Sequence, residues 1–238
     1  MHTENVAYWD VDTELEGYLA YNAFEAGKRP AVLVAHAWGG QTDFERGKAE
    51  ALAGLGYVGF ALDMFGKGVV GSGPEENTKL IEPFVADRAM LRTRILAGLN
   101  TVRDLDMVDR GRIAAIGFCF GGLCVLDLAR SDAKVLGVAS FHGLLMPPGL
   151  DDNPDRVAPK VLVMHGDQDP FTPPDQVRSF QEEMTALGID WQMLVFGGEV
   201  HAFAHKDAED PALGNRYSER ADRRSWAALC AFLDELFD

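Results

Sequence analysis

Apolar and polar residues follow one another along this chain in two rhythms, one of period two and one close to 3.6. Residues 6–9 and 15–21 alternate like short antiparallel strands joined through residues 10–14. Residues 31–35 are an unbroken apolar run, as a strand buried on both faces requires. A helical pattern over residues 43–55 and a strand over 57–62 follow, then a glycine-rich loop over 66–74 with neither rhythm. Leu91, Ile95, Leu99 and Val102 recur at helical spacing and predict one long helix over residues 86–105. The apolar stretch 113–116 leads into a helix-like run at 123–130. Strands are expected at 135–141, 160–165 and 191–196, with a proline-rich loop reaching Pro159. Pro173 and Pro174 suit the first turn of a further helix, and residues 218–236 read as a closing one. The sequence carries no internal repeat and no low-complexity linker. The alternation therefore predicts a single α/β domain over residues 1–238, with a doubly wound, mostly parallel sheet and an antiparallel hairpin at its N-terminal edge.

Composition narrows the class of partner. The chain has 238 residues, 47% of them hydrophobic, enough to cover a sheet on both faces. Its 37 acidic and 22 basic residues leave a formal net charge of −15, which repels phosphate backbones and anionic membranes. Neither nucleic acid nor a membrane is an expected partner, and oligomeric state is not legible. Cys119, Cys124 and Cys230 are odd in number and form no CxxC pair, so neither a disulfide framework nor a cysteine zinc site is expected. The opening residues lack a basic region followed by an apolar run, and no apolar stretch approaches the roughly 20 residues of a membrane helix. The expected location is cytoplasmic.

In open sheets of this kind, reactive groups gather at the carboxyl ends of strands. Gly117-Phe118-Cys119-Phe120-Gly121-Gly122 lies between a strand and a helix, the nucleophile-elbow arrangement of α/β-hydrolases with cysteine where serine is usual. Its glycines let strand and helix close on a strained apex, and the thiol stands at a helix N-terminus that favours thiolate. Asp167 and Asp169 follow one later strand, and His201 follows the last. Nucleophile, acid, histidine is the α/β-hydrolase order. In that chemistry a thiolate attacks a carbonyl carbon, the imidazole moves the protons, and the carboxylate orients the ring.

These motifs resemble the dienelactone hydrolase family. The likeness is carried by Glu16-Gly17-Tyr18-Leu19-Ala20, Val32-Leu33-Val34-Ala35-His36, Gly56-Tyr57 and Leu62-Asp63-Met64-Phe65. It continues through the cysteine elbow, His165-Gly166-Asp167-Gln168-Asp169-Pro170-Phe171-Thr172-Pro173 and His201-Ala202-Phe203. The resemblance implies a carboxylic-ester hydrolase with a Cys119-His201-Asp169 triad, Asp167 being the alternative acid. It also implies an oxyanion hole made by the backbone N–H groups of Trp38 and Phe120. Two positions depart from the family pattern. Many members carry a glutamate directly after the equivalent of His36 that helps switch the cysteine to thiolate, and here Ala37 stands there. Dienelactone-cleaving members hold the substrate carboxylate with arginines, one of them four positions past the triad histidine, where this chain has His205.

His36, His142 and His165 also fall at strand ends and, with Asp63, could in principle converge on zinc, but no paired-ligand spacing supports it. No metal and no cofactor is implied. His36 is expected to brace the oxyanion turn, and His36, Phe65, Phe171 and His205 are assigned to the substrate pocket. Arg88, Arg92 and Arg94 are expected on a solvated helix face, their alternative being the cations that an anionic substrate would need, with Cys124 and Cys230 as buried filler. The expected activity is hydrolysis of a small-molecule ester or lactone through a cysteine acyl-enzyme. Its alternatives are thioesterase or acyl transfer at the same site, and a non-catalytic ligand-binding protein on a decayed hydrolase scaffold.

Overall fold

The computed structural model describes residues 1–149 and 159–238, so most of the proline-rich stretch lies outside the described residues. In chain order the elements begin β1 (His2–Asp10), β2 (Thr13–Tyr21), β3 (Arg29–Ala35), α1 (Asp43–Gly54) and β4 (Val58–Ala61). Next come α2 (Pro74–Ala86), α3 (Arg88–Arg103), β5 (Val108–Phe118), α4 (Phe120–Ala129) and β6 (Gly137–Phe141). The chain continues with β7 (Lys160–Gly166), α5 (Pro174–Ala186) and β8 (Trp191–Phe196). It closes with the two-residue strands β9 (Glu209–Asp210) and β10 (Asn215–Arg216), then α6 (Glu219–Phe237).

Strands β1 to β8 form one sheet in the order β1-β2-β4-β3-β5-β6-β7-β8. The leading hairpin β1–β2 and its junction with β4 are antiparallel, and every pair from β4 to β8 is parallel. Side chains of the central strands divide by parity, as a sheet covered twice demands. Ala31, Leu33 and Ala35 of β3 and Ile113 and Ala115 of β5 enter one core with α3, α4 and α5. Val32 and Val34, with Ala114, Ile116 and Phe118, enter the other with α1 and α6. The stripe Leu91, Ile95, Leu99 and Val102 on α3 is fully buried, each side chain stabilising the fold by roughly 1.5–3 kcal/mol.

The long helix expected over residues 86–105 is two helices. Asp87 adopts an extended conformation (φ −120°, ψ 91°), ends α2 and caps α3 by accepting the Met90 N–H. Its single residue of extended backbone lies inside an otherwise continuous apolar pattern, which is why spacing alone did not show the break. The α3 arginines are also unlike the expectation of a solvated face. Arg88 forms a two-pronged bond to Asp127 at 2.6 and 2.7 Å. Arg94 is buried too, bonded to Asp10 and to the Met64 carbonyl at 2.7 Å each. Cys124 is buried as expected, whereas Cys230 is only half-buried.

Candidate active site

The elbow is built by close backbone approach. A Cβ on Gly117 would lie 2.0 Å from the Gly121 carbonyl oxygen, and one on Gly121 would lie 2.1 Å from the Ala35 carbonyl oxygen. Strand β5, helix α4 and strand β3 can therefore meet only with glycine at both positions. Cys119 at the apex has φ 54° and ψ −114°, a strained conformation for a residue with a side chain. Its amide is tied to the Phe141 carbonyl at 3.0 Å, and α4 begins at the next residue. The thiol is thus half-buried at the N-cap position of α4, the positive end of the helix dipole.

The other two groups arrive on loops from neighbouring strand ends. After β7, the Asp169 N–H bonds the Gly166 carbonyl at 3.0 Å, and Asp169 Oδ1 accepts the Phe171 N–H at 2.9 Å. That leaves Oδ2 for His201 Nδ1, 2.7 Å away in a buried contact. Asp167, the alternative acid, is exposed on the same turn. His201 is held from both sides by Gly214 and the adjoining strand β10. Its N–H donates to the Gly214 carbonyl at 3.0 Å, and its carbonyl accepts the Arg216 N–H at 3.1 Å. The two-residue strands β9 and β10 were not foreseen, being too short to show any alternation.

Burial lowers the proton affinity of the His201 ring, but four influences outweigh it. They are the charge of Cys119, the ring's hydrogen bonds to Asp169 and to Cys119, and the charge of Asp169, which together push the ring up to about 10. The imidazole is thus held protonated at neutral pH between a carboxylate and a sulfur. A ring so placed can move a proton to and from a group reacting at the sulfur.

A cavity of about 540 Å³ opens over Cys119. Trp38, Phe120, Phe171, His201 and His205 all line it. Phe171 stands edge-on to the His201 ring at 4.9 Å, and His205 stacks on Phe44 at 4.4 Å. His36 and Phe65, assigned from sequence to the pocket, are not lining residues. Both lie behind the wall, their rings 4.5 Å apart edge to face, and His36 is fully buried. His36 accepts the Met64 N–H at 3.1 Å through Nε2, so Nδ1–H donates to the Ala37 carbonyl at 2.7 Å. It braces the turn that carries Trp38.

Among the lining residues that sequence reasoning did not assign to the pocket are Glu45 and His142. Glu45, on the first turn of α1, accepts the Ala37 N–H at 3.1 Å with one oxygen. Its other oxygen accepts the Thr42 N–H and hydroxyl at 2.9 and 2.8 Å. The signal was present as Thr42-x-x-Glu45, a capping-box spacing. His142 follows β6 with φ 39°, its ring 5.1 Å from that of His201. The imagined convergence of His36, His142 and His165 with Asp63 does not occur. Asp63 is spent on the N–H groups of Phe65, Gly66 and Glu16, and among the described residues no group of three or more potential ligands could hold a metal.

Residues 15–237 match the model of the dienelactone hydrolase family. The chain belongs to that family. It is a hydrolase of the dienelactone hydrolase type on an α/β-hydrolase fold. A solved structure of a dienelactone hydrolase-like promiscuous phosphotriesterase from metagenomic libraries is 34% identical, covers 100% of this chain and 99% of its own, and superposes with a TM-score of 0.94. An uncharacterized protein of Caenorhabditis elegans is 37% identical over 62% of this chain and 94% of its own length. A provisionally named carboxymethylenebutenolidase of Aquifex aeolicus is 28% identical over 83% of this chain and 85% of its own. Among the described residues no helix is long and apolar enough to cross a membrane.

Proposed function

We propose that the chain hydrolyses a small carboxylic ester or lactone through a thioester acyl-enzyme, with Cys119 as nucleophile, His201 as proton carrier and Asp169 as orienting carboxylate. The observation that carries the reading is the His201 ring, bonded through Nδ1 to buried Asp169 at 2.7 Å and coupled on its other side to Cys119. The Cys119 sulfur adds to the carbonyl carbon, and the carbonyl oxygen becomes an oxyanion facing the N–H groups of Trp38 and Phe120. Collapse breaks the carbon–oxygen bond, and protonated His201 donates to the departing alkoxide. The neutral ring then takes a proton from water as hydroxide adds to the thioester. A second collapse frees the carboxylic acid and restores the thiolate–imidazolium pair. In this scheme His201 and the helix N-terminus activate Cys119, since Ala37 offers no carboxylate.

The test is turnover of short-chain p-nitrophenyl esters by wild type, Cys119→Ala and His201→Ala. Both variants are expected to lose about 10³-fold or more in kcat/KM, and iodoacetamide should inactivate wild type by alkylating Cys119. Equal turnover in all three proteins rules the mechanism out. Added alcohol or thiol nucleophiles separate hydrolysis from acyl transfer, because only a transferase passes the acyl group on in preference to water. A second reading, cleavage of phosphotriesters at the same site, is favoured by the 34% identity to the promiscuous phosphotriesterase and is checked with a p-nitrophenyl dialkyl phosphate.

A further inference from the structure

Apart from the His201 ring, the carboxylates dominate the charge on the cavity walls. Glu45, Asp207, Glu209 and Asp210 line it, and among the described residues no lysine or arginine does. Asp207 and Glu209 are exposed at the mouth, on a chain of net charge −15. A carboxylate entering this space would leave water for a cavity whose fixed charges repel it. The imidazoles do little to offset that. His201 is already balanced by Asp169 and Cys119. Burial first, then the nearby charges of His201 and His205, hold His142 well below the usual histidine range, so it faces the cavity uncharged.

His142 is the second, independent observation. It is 1% exposed, it lines the cavity, and neither ring nitrogen has a hydrogen-bond partner on another described residue. A buried polar ring without partners is costly unless something that enters the site uses it. A neutral imidazole offers one donor and one acceptor, which suits an uncharged polar group and cannot neutralise an anion.

We propose that this cavity selects uncharged and cationic esters over anionic ones, with His142 as the uncharged polar contact for the bound substrate. The proposal rests on ester cleavage at Cys119 and specifies the class of ester.

The test uses the full chain at low ionic strength with three acyl groups that share a three-methylene spacer and differ in the terminal group. They are p-nitrophenyl pentanoate, mono-p-nitrophenyl glutarate and p-nitrophenyl 4-(trimethylammonio)butanoate. The glutarate monoester is expected to show kcat/KM at least about tenfold below the pentanoate, and the ammonium ester to equal or exceed it. Added salt and the double variant Asp207→Asn/Glu209→Gln should both narrow the gap between anionic and neutral esters. Cys119-dependent turnover without that preference overturns the proposal alone. Pentanoate turnover that survives Cys119→Ala overturns the ester reading and this proposal with it. For His142 the pair is p-nitrophenyl methoxyacetate and butanoate, which differ by one ether oxygen. The ratio of their kcat/KM values should fall about threefold or more in His142→Phe and recover in His142→Asn, and an unchanged ratio removes His142 from the proposal.

Discussion

Nδ1 of His201 lies 2.7 Å from Oδ2 of Asp169, with both side chains buried, while the other carboxylate oxygen is already bound by the Phe171 amide. The acid is therefore fixed before it meets the ring, and it can hold only one tautomer of the histidine. Asp169→Asn preserves size but loses the charge and offers a donor to the same nitrogen. The expected result is a fall in kcat of about 10³- to 10⁴-fold on a p-nitrophenyl ester. Asp167→Asn, on the exposed part of the turn, should stay within about twofold of wild type.

The pH behaviour of His201 follows from the same contact. Its folded value, raised from 6.5 to about 10, lies above the unfolded one. The bonds to the charged ring thus contribute stability that is complete below pH 6.5 and lost as pH rises through 10. Nitrogen-detected NMR of the imidazole should find a midpoint near 10 in wild type and a lower one in Cys119→Ala, because the sulfur's charge is the largest raising influence. A midpoint that does not move on removing the thiol contradicts the coupling of the two residues.

The elements that sequence anticipated are those whose reason is written locally. Alternate residues of β3 and β5 enter opposite cores, so their continuous apolar runs could only be doubly covered strands. Gly117 and Gly121 announced the elbow because no other residue fits there. The features missed depend on distant partners. Arg94 looked solvated because its partners, Asp10 and the Met64 carbonyl, are far away in the chain. His36 stands beside the lining residue Ala37 in sequence, yet its ring is spent on the Met64 N–H and the Ala37 carbonyl, and Phe65 packs edge to face against it. The segment that clamps His201 has strands of two residues each, too few for any period to appear.

Asp127 offers a stability test away from the cavity. It is fully buried, gripped by Arg88 at 2.6 and 2.7 Å and approached by Arg130 at 3.5 Å. Asp127→Ala leaves the buried Arg88 guanidinium without its two-pronged carboxylate, while Arg130 keeps Glu183 at 2.7 Å. Urea unfolding should record a loss of about 3–5 kcal/mol. A loss below about 1 kcal/mol would mean that Arg88 finds another partner readily.

Glu45 links the first turn of α1 to the loop carrying Trp38, through the Ala37 N–H at 3.1 Å. Glu45→Ala frees that amide together with the Thr42 donors, so the turn loses its fixed position relative to Cys119. An expected fall of about tenfold or more in kcat reflects misplacement of a backbone donor. Glu45→Gln keeps one acceptor oxygen and should recover part of the loss. Recovery in stability without recovery in kcat would separate helix capping from turn positioning.

Two glycine-to-alanine substitutions should act in opposite directions. At Gly121 the new methyl carbon would lie 2.1 Å from the Ala35 carbonyl oxygen and 2.7 Å from that of His36, both main-chain atoms that cannot swing aside. The first turn of α4 must then shift away from the end of β3, which separates the Phe120 amide from the loop bearing Trp38. Gly121→Ala is expected to lower both the unfolding free energy, by about 1–3 kcal/mol for an overpacked site, and kcat, by about tenfold or more. At Gly47, exposed in the middle of α1, an added Cβ meets nothing within 4 Å. Gly47→Ala should raise stability by roughly 0.5–1 kcal/mol and leave kcat unchanged, because only helix propensity differs there. If Gly121→Ala were as harmless as Gly47→Ala, the close approach of α4 to β3 would not be what holds the elbow in place.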